Sequence, residues 1–571
     1  ESIHIKPHIL LRNCSCHRTE KARFQEMAEK RDQECDVVVV GAGLSGLTAA
    51  YRIQQNVPGC KVLVVEAKDR IGGRTMTVEM QGAHGPDSWD LGGQWVSSSQ
   101  HHVLWLLEEL GIEHYPQFNS GKRLLQAGKE FGITEHHDSI PSLPLLSLVD
   151  LNRFITNLDS VAKYVPSDEP WTAVKADEYD NMTLEQLVES STWTTVARDT
   201  IETGWQVVSG LRLREISALS YMFYLSSSGG LEKLVETAVG SAQELRIKGG
   251  SQGISHQLAE RIDISNILLS EPVVAIDQSQ PEKVKVHTQS GKHFTCKHII
   301  VAAPPHCTGS IQYLPDQPTR RIRLTTSMHP GHLFKFVATY KKAFWREAGY
   351  SGEIVCNGSC ATVPGCNKAP IQYVLDATSS EGNPALVGFI GNPSLWGQVS
   401  VDTRKAAILN HLADFFGDAA KKPIDFMEKD WALEPYNGGC PVSLMTPGAM
   451  ANWDTIRTPH GRIHWAGTET ATQWMGYLNG AVQAGLRAAD EVTLELRPQP
   501  QRGSQSSEAE EEVGGGLLRA LDGRKGQKET TCRGYEGPLI WTMGKLAVVA
   551  ALVGFAMRKA WLAGGKINLP L

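Results

Sequence analysis

Hydrophobic positions along this chain come in two textures. Four valines in a row, Val37–Val40, follow Asp36 and stop at Gly41. A β-branched run of that length bounded by glycine predicts a short strand buried on both faces, as in a parallel sheet. Helical spacing continues from the glycines through Ile53, and a second apolar run, Lys61 to Val65, ends at Glu66. The middle reads differently. Thr183 and Gln186 have the spacing of a capping box, and apolar residues recur at helical intervals from Leu187 to Leu225. Short strands return at Ile267–Leu269, Val273–Ile276, Val284–Val286 and Ile299–Val301, and a mixed stretch runs from His332 to about Phe426. The alternation predicts a mixed α/β protein of two interleaved domains rather than two beads in sequence.

In numbers, the expected division assigns 34–118, 249–310 and 430–495 to one domain. It assigns 119–248, mostly helical, and 311–429 to the other. A polar extension occupies 1–33, with a short helix expected from Glu20 to Arg31. A linker, 496–538, rich in Pro, Gln, Ser, Glu and Gly, leads to an apolar span at 539–561.

Composition narrows the class. A chain of 571 residues exceeds what one core usually serves, and 41% hydrophobic with 21% charged residues is globular. The net charge of −6 argues against a nucleic-acid partner. Eleven cysteines in this length are too few for a disulfide scaffold. Neither Cys14 with Cys16 nor Cys356, Cys360 and Cys366 forms paired knuckles, so no metal centre is expected and a reducing compartment is. The N-terminal stretch offers no uninterrupted apolar segment of signal-peptide type. It starts at Glu1 rather than Met, which leaves room for sequence upstream.

The candidate chemistry begins where the first strand stops. Gly41-Ala42-Gly43-Leu44-Ser45-Gly46 places glycines for a tight turn, for close backbone approach to a pyrophosphate, and for close packing of helix on strand. The helix that follows offers free amides and a positive dipole end to phosphate. Glu66, at the end of the second strand, stands where a carboxylate can accept from ribose hydroxyls. Beyond it, Glu66-Ala67-Lys68-Asp69-Arg70-Ile71-Gly72-Gly73-Arg74-Thr75 adds two glycines and the charges of Arg70 and Arg74. This pattern is that of a Rossmann-type dinucleotide-binding domain.

With that stretch the chain resembles the flavin-containing amine oxidases, and within them the monoamine oxidases. The resemblance extends through Asp90-Leu91-Gly92-Gly93-Gln94-Trp95-Val96, through Ser270-Glu271-Pro272-Val273, and through Gly461 to Thr470 with Met475 to Ala481. It implies FAD as cofactor, with Gly93 and Gln94 beside the isoalloxazine ring and Val273 at the adenine end. It likewise implies cofactor contacts for Trp431, Gly467, Thr468, Glu469 and Met475. Lys335, in the apolar run His332–Val337, reads on its own as an outward charge at a strand edge. The resemblance instead puts it at the flavin, bonded through water to N5, where an ammonium steers oxygen reduction. It makes Cys440, after Gly438 and Gly439, the covalent attachment point of FAD, and gives Tyr477 and Trp95 to the substrate chamber.

One departure is plain. The family has an aromatic residue after that cysteine, flanking the amine opposite the ring matching Tyr477. Here Pro441 stands in its place. The implied reaction is oxidation of a primary or secondary amine to an imine and then an aldehyde, with oxygen reduced to peroxide. Rival readings are a polyamine or L-amino-acid oxidase, which would need acidic residues or an arginine clamp in the cleft, and a membrane-tethered FAD-binding protein without turnover. A homodimer is compatible with all of these.

The last expectation concerns the tail. Leu539 to Met557 is apolar apart from Lys545; Trp541 and Trp561 bracket it, and Arg558 and Lys559 follow it. Twenty helical residues span about 30 Å, the thickness of a bilayer core. A single-pass C-terminal anchor is expected, and the resemblance implies the mitochondrial outer membrane facing the cytosol.

Overall fold

The four valines do form a buried strand. In a computed structural model, which describes residues 34–126, 132–137, 143–358, 366 and 368–497, β1 spans Val37–Val40 with every side chain buried. It pairs in parallel with β2 (Val62–Val65) on one side. The sheet is completed by β3 (Ile267–Leu268), β4 (His298–Val301) and β5 (Ile463–Trp465) in the spatial order β3-β2-β1-β4-β5, all parallel. Its strands come from three distant stretches of chain. Helix α1 (Leu44–Asn56) follows β1 directly. The C-terminal helix α3 (Leu478–Leu496) lies so close to α1 that a Cβ on Gly485 would come within 2.4 Å of the Ser45 carbonyl oxygen.

The second layer is a seven-stranded mixed sheet. Its order is Asp425–Asp430, Phe334–Thr339, Ala385–Ile390, Ile371–Asp376, Tyr350–Cys356, Lys122–Gln126 and Thr134–His136. The helical middle packs beside it as Leu145–Ala162, Leu184–Ser191, Thr195–Ser209 and α2 (Ala218–Ser228). The capping box is present: Gln186 N donates to Thr183 Oγ1 at 3.1 Å, and Thr183 N donates to Gln186 Oε1 at 2.9 Å. Tyr221, Phe223, Tyr224 and Leu225 of α2 are fully buried, in a core shared with Trp205, Trp453 and Met475.

Among the described residues no helix is long and apolar enough to cross a membrane. The expected span at 539–561, the linker and the helix from Glu20 to Arg31 lie outside the described residues. Every described cysteine is a free thiol.

Candidate active site

The C-terminal ends of β1, β2 and β4 open onto one cavity of about 800 Å³, within the range of small-molecule sites. Gly41 adopts φ +105°, a conformation closed to most side chains. Gly46 has no room for one: its Cβ would lie 2.0 Å from the Gly41 carbonyl oxygen. A second glycine turn meets the first, and a Cβ on Gly73 (φ +59°) would stand 3.2 Å from Gly43 Cα. Gly41, Gly43, Ser45 and Gly73 line the cavity. No side chain caps the start of α1 and no acidic residue sits in its first turn. This is the bare, positive helix end that a pyrophosphate would complete.

Glu66 lines the cavity, its carboxylate accepting from Ala42 N at 2.6 Å and from Lys68 N at 2.9 Å. Val273 and Thr468 line it too. Arg74 projects into its wall and forms a two-point ion pair with Glu469, 2.6 and 3.1 Å, while donating to the Pro441 carbonyl at 2.7 Å. Burial opposes the charge on Glu469, yet the Arg74 guanidinium overrides it and holds the carboxyl below its ordinary value.

Five expected contacts take other places. Arg70, read as a phosphate charge, points back at the protein: it donates to the Gly73 and Thr75 carbonyls and to Glu434, so it shapes the glycine turn. The charge that does line the cavity here is Lys68, which the sequence reading did not single out. Lys68 is buried, donating to Glu434 at 3.0 Å and to Asn437. Burial would raise the Glu434 carboxyl, but Lys429, Lys68 and Arg70 hold it down at about 2. Met475 is fully buried in the core behind the site. Gly467 and Glu469 stand behind the wall, as does Gly46 behind the glycine turn; none of these lines the cavity.

At the other end, Gly93, Gln94, Trp95, Lys335, Trp431, Cys440 and Tyr477 converge on the same cavity. The strand bearing Lys335 is not an edge: Phe334–Thr339 pairs on both sides, and all six residues are buried. The outward-charge reading fails because an isolated apolar run does not reveal its neighbours. Lys335 Nζ donates to the Gly92 carbonyl at 2.7 Å and to Gln94 Oε1 at 2.6 Å, and sits 5.5 Å from the Trp95 ring centre. Burial lowers its ammonium to about 7, with Asp90 pulling the other way. Gln94 Nε2 is buried without a hydrogen-bond partner. An acceptor on a bound group would complete it, as would suit a flavin carbonyl. Together with the bare helix start and the paired glycine turns, these residues fit FAD.

Cys440 occupies the wall because Gly439 (φ +149°) leaves no space for a side chain: a Cβ there would lie 2.3 Å from the Gly331 carbonyl oxygen. Cys440 N donates to that same oxygen at 2.8 Å. Burial pushes its thiol up to about 12, against the pull of Arg74 and Lys335.

Pro441 offers no ring, and the ring facing Tyr477 comes from elsewhere. Tyr224 of α2 lines the cavity with its ring stacked at 29° to Tyr477, centres 6.3 Å apart. Burial raises the Tyr477 phenol to about 12, with the neighbouring Tyr224 hydroxyl pulling the other way. No periodicity marks Tyr224, since it sits in an apolar run whose members are all buried. A second aromatic group, Trp95, Phe389 and Tyr373, has successive ring centres 6.3 and 6.4 Å apart. Val207 and Val208 add aliphatic lining.

Residues 44–493 match the sequence profile of the flavin containing amine oxidoreductases. The chain is 34% identical over 464 residues to human amine oxidase [flavin-containing] B, covering 80% of this chain and 86% of that protein. It is 35% identical over 462 residues to the dog amine oxidase [flavin-containing] A, covering 80% and 84%. Among solved structures, a cyclohexylamine oxidase from Brevibacterium oxydans superposes with a TM-score of 0.74 at 31% identity, covering 81% of this chain and 99% of that one. A putrescine oxidase bound to putrescine gives 0.73 at 28%, with the same coverage.

Proposed function

The chain belongs to the flavin-containing amine oxidoreductases and is an FAD-dependent amine oxidase, and from that premise we propose that it deaminates small, largely apolar monoamines. The observation that carries the proposal is the character of the chamber in front of Lys335. Its walls are Trp95, Val207, Tyr224, Tyr373, Phe389 and Tyr477. The carboxylates lining the cavity, Glu66 and Glu434, belong to the end by the glycine turn, and Glu434 is matched by lysine and arginine. The cavity-lining arginine, Arg74, is paired with Glu469. Among the described residues, no lining acid stands ready for the far amine of a polyamine, and no free arginine for the carboxylate of an amino acid.

FAD, when bound, supplies the two-electron chemistry that takes the amine to an imine and passes electrons to oxygen. The residues supply placement. Tyr224 and Tyr477 present ring faces and edges against which an uncharged amine packs. The buried aromatic surround excludes water, and an ammonium on Lys335 favours negative charge developing on reduced oxygen. Gln94, oriented by Lys335, is left with its amide donor free for the cofactor.

Cys440 is the proposed covalent attachment point. Acid precipitation of the protein should leave flavin colour in the pellet, and Cys440→Ala should release it. Colour in the supernatant of the unaltered protein would defeat the link while leaving FAD binding intact. The apolar run 539–557, with its flanking Trp541, Trp561, Arg558 and Lys559, is the proposed bilayer anchor, and the mitochondrial outer membrane is the proposed location. Alkaline extraction of membranes carrying the full chain, beside a chain ending at Arg497, tests the anchor.

A tethered flavoprotein without turnover finds support only in Pro441, and Tyr224 weakens that support by giving Tyr477 a facing ring. The deciding experiment is an anaerobic screen of arylalkyl amines, diamines and amino acids that follows bleaching of the flavin. Rapid bleaching by arylalkyl amines is expected. Bleaching only by diamines or amino acids, or by nothing, would overturn the proposal.

A further inference from the structure

Away from the cofactor cavity, two buried imidazoles and a carboxylate converge at the other end of the parallel sheet. His298 is the first residue of β4 and His464 the middle residue of β5. Because Ile300 pairs with His464, His298, two residues earlier on β4, shares a face with it. That face is covered by the last turns of α3, which carry Glu491 and Glu495. His298 is 3% exposed and His464 is 0% exposed. None of the four lines the cavity, whose walls take up beyond the C-terminal end of β4 at Ala302 and Ala303.

Their hydrogen bonding is incomplete in a specific way. His464 Nδ1 is 3.0 Å from Glu491 Oε2, and Glu491 is itself held by Arg487. A carboxylate can only accept here, so Nδ1 is the donor of that bond. His464 Nε2 and His298 Nδ1 are both buried and neither makes a hydrogen bond. His298 Nδ1 does lie 3.1 Å from Glu495 Oε2, and His464 Nε2 lies 3.6 Å from Glu495 Oε1. These are close approaches without hydrogen-bond geometry. A buried nitrogen without a partner is costly, and two aimed at one carboxylate need an explanation.

We propose that His298, His464 and Glu495 bind a divalent transition metal ion, Zn²⁺ by the chemistry of the set. One donor atom from each residue lies within 4.8 Å of the other two. Bonds of about 2.0–2.2 Å in a tetrahedral site put donors roughly 3.3–3.6 Å apart, and each imidazole approaches its own oxygen of Glu495 at a distance of that order, 3.1 Å to Oε2 and 3.6 Å to Oε1. Two imidazoles and one carboxylate are a zinc set that leaves a fourth position for water. The side chain of Glu495 is 46% exposed, so that position has access to solvent. Glu491 plays the supporting part, since a ligating histidine commonly donates its other N–H to a carboxylate. Hard cations such as Mg²⁺ and Ca²⁺ prefer all-oxygen sites and are not expected here. An ion so placed would tie β4 and β5 to the C-terminal turn of α3, so its effect should fall on stability rather than turnover.

The test uses full-length holoenzyme stripped with a chelator and titrated with Zn²⁺ against a chromophoric competitor. One equivalent per chain, with micromolar or tighter affinity and a raised melting temperature, is expected; Mg²⁺ and Ca²⁺ should give neither. Glu495→Gln and His298→Gln should each weaken binding at least tenfold, and Glu491→Gln by about tenfold. Glu495→Gln, at an exposed position, should keep the flavin spectrum and amine turnover, which separates loss of metal from loss of fold. Absence of a stoichiometric equivalent would overturn the proposal. So would zinc retained equally in Glu495→Gln and His298→Gln, which would assign it to thiols.

Discussion

Replacing Lys335 by methionine gives a test whose size follows from the structure. The ordinary lysine value is near 10.5, and burial lowers Lys335 to about 7. Between those values the unfolded chain holds a proton at this side chain that the folded protein does not. Stability therefore rises with pH across the window, by up to about 1.4 kcal/mol per pH unit. Below pH 7 both states are protonated and the dependence vanishes. Methionine keeps the stem and does not titrate. It leaves the Gly92 carbonyl and Gln94 Oε1 without their donor, a loss of about 1–3 kcal/mol each that does not change with pH. The stability of the native protein relative to Lys335→Met should thus increase by about 4 kcal/mol from pH 7 to pH 10, with other groups cancelling in the difference. Urea unfolding of both holoenzymes at pH 7, 8.5 and 10, followed by flavin fluorescence, measures it. A difference that stays constant within about 1 kcal/mol would refute the argument, because the lysine would then be as well solvated folded as unfolded.

Three further outcomes are expected. Tyr224→Ala removes the ring facing Tyr477, a contact worth about 1 kcal/mol beyond its buried area, and should lower kcat/KM for benzylamine about tenfold. Tyr224→Phe, which loses only the hydroxyl, should stay within about threefold; steady-state peroxide assays read both. Gly46→Ala drives a methyl to within 2.0 Å of the Gly41 oxygen, so α1 must move away from β1, and flavin content by absorbance should fall at least tenfold at equal protein. Glu469→Gln strands the Arg74 charge in a largely buried site and should cost about 3 kcal/mol in urea unfolding, with weaker flavin retention.

Elements governed by local physics were legible in the sequence. The valine run, the glycine turn, Glu66 and the capping box at Thr183 each encode their conformation within a few residues, and each is found where it reads. Strands whose pattern is shared by edge and centre were not. Lys335 read alone is an edge charge, and only the pairing of Phe334–Thr339 on both sides buries it. Arg70 and Lys68 sit two residues apart and both reach Glu434, far along the chain, so spacing does not tell which one faces the cavity; the Gly73 and Thr75 carbonyls hold Arg70 in the turn. Tyr224 and the pair His298 and His464 belong to the same class. Their significance comes from an interhelical or interstrand meeting that leaves no mark on either segment.

The order β3-β2-β1-β4-β5 has a consequence for biogenesis. The strand that finishes the sheet, Ile463–Trp465, emerges from the ribosome after almost the entire described chain, and until then β4 presents an open edge. The nucleotide cleft is therefore assembled last, by a pairing of very long sequence separation, which makes folding slow and leaves the nascent protein exposed to aggregation. Loading of flavin must wait for translation to pass that point, so a release just short of Gly461 should yield a colourless, sticky polypeptide rather than a weakened enzyme.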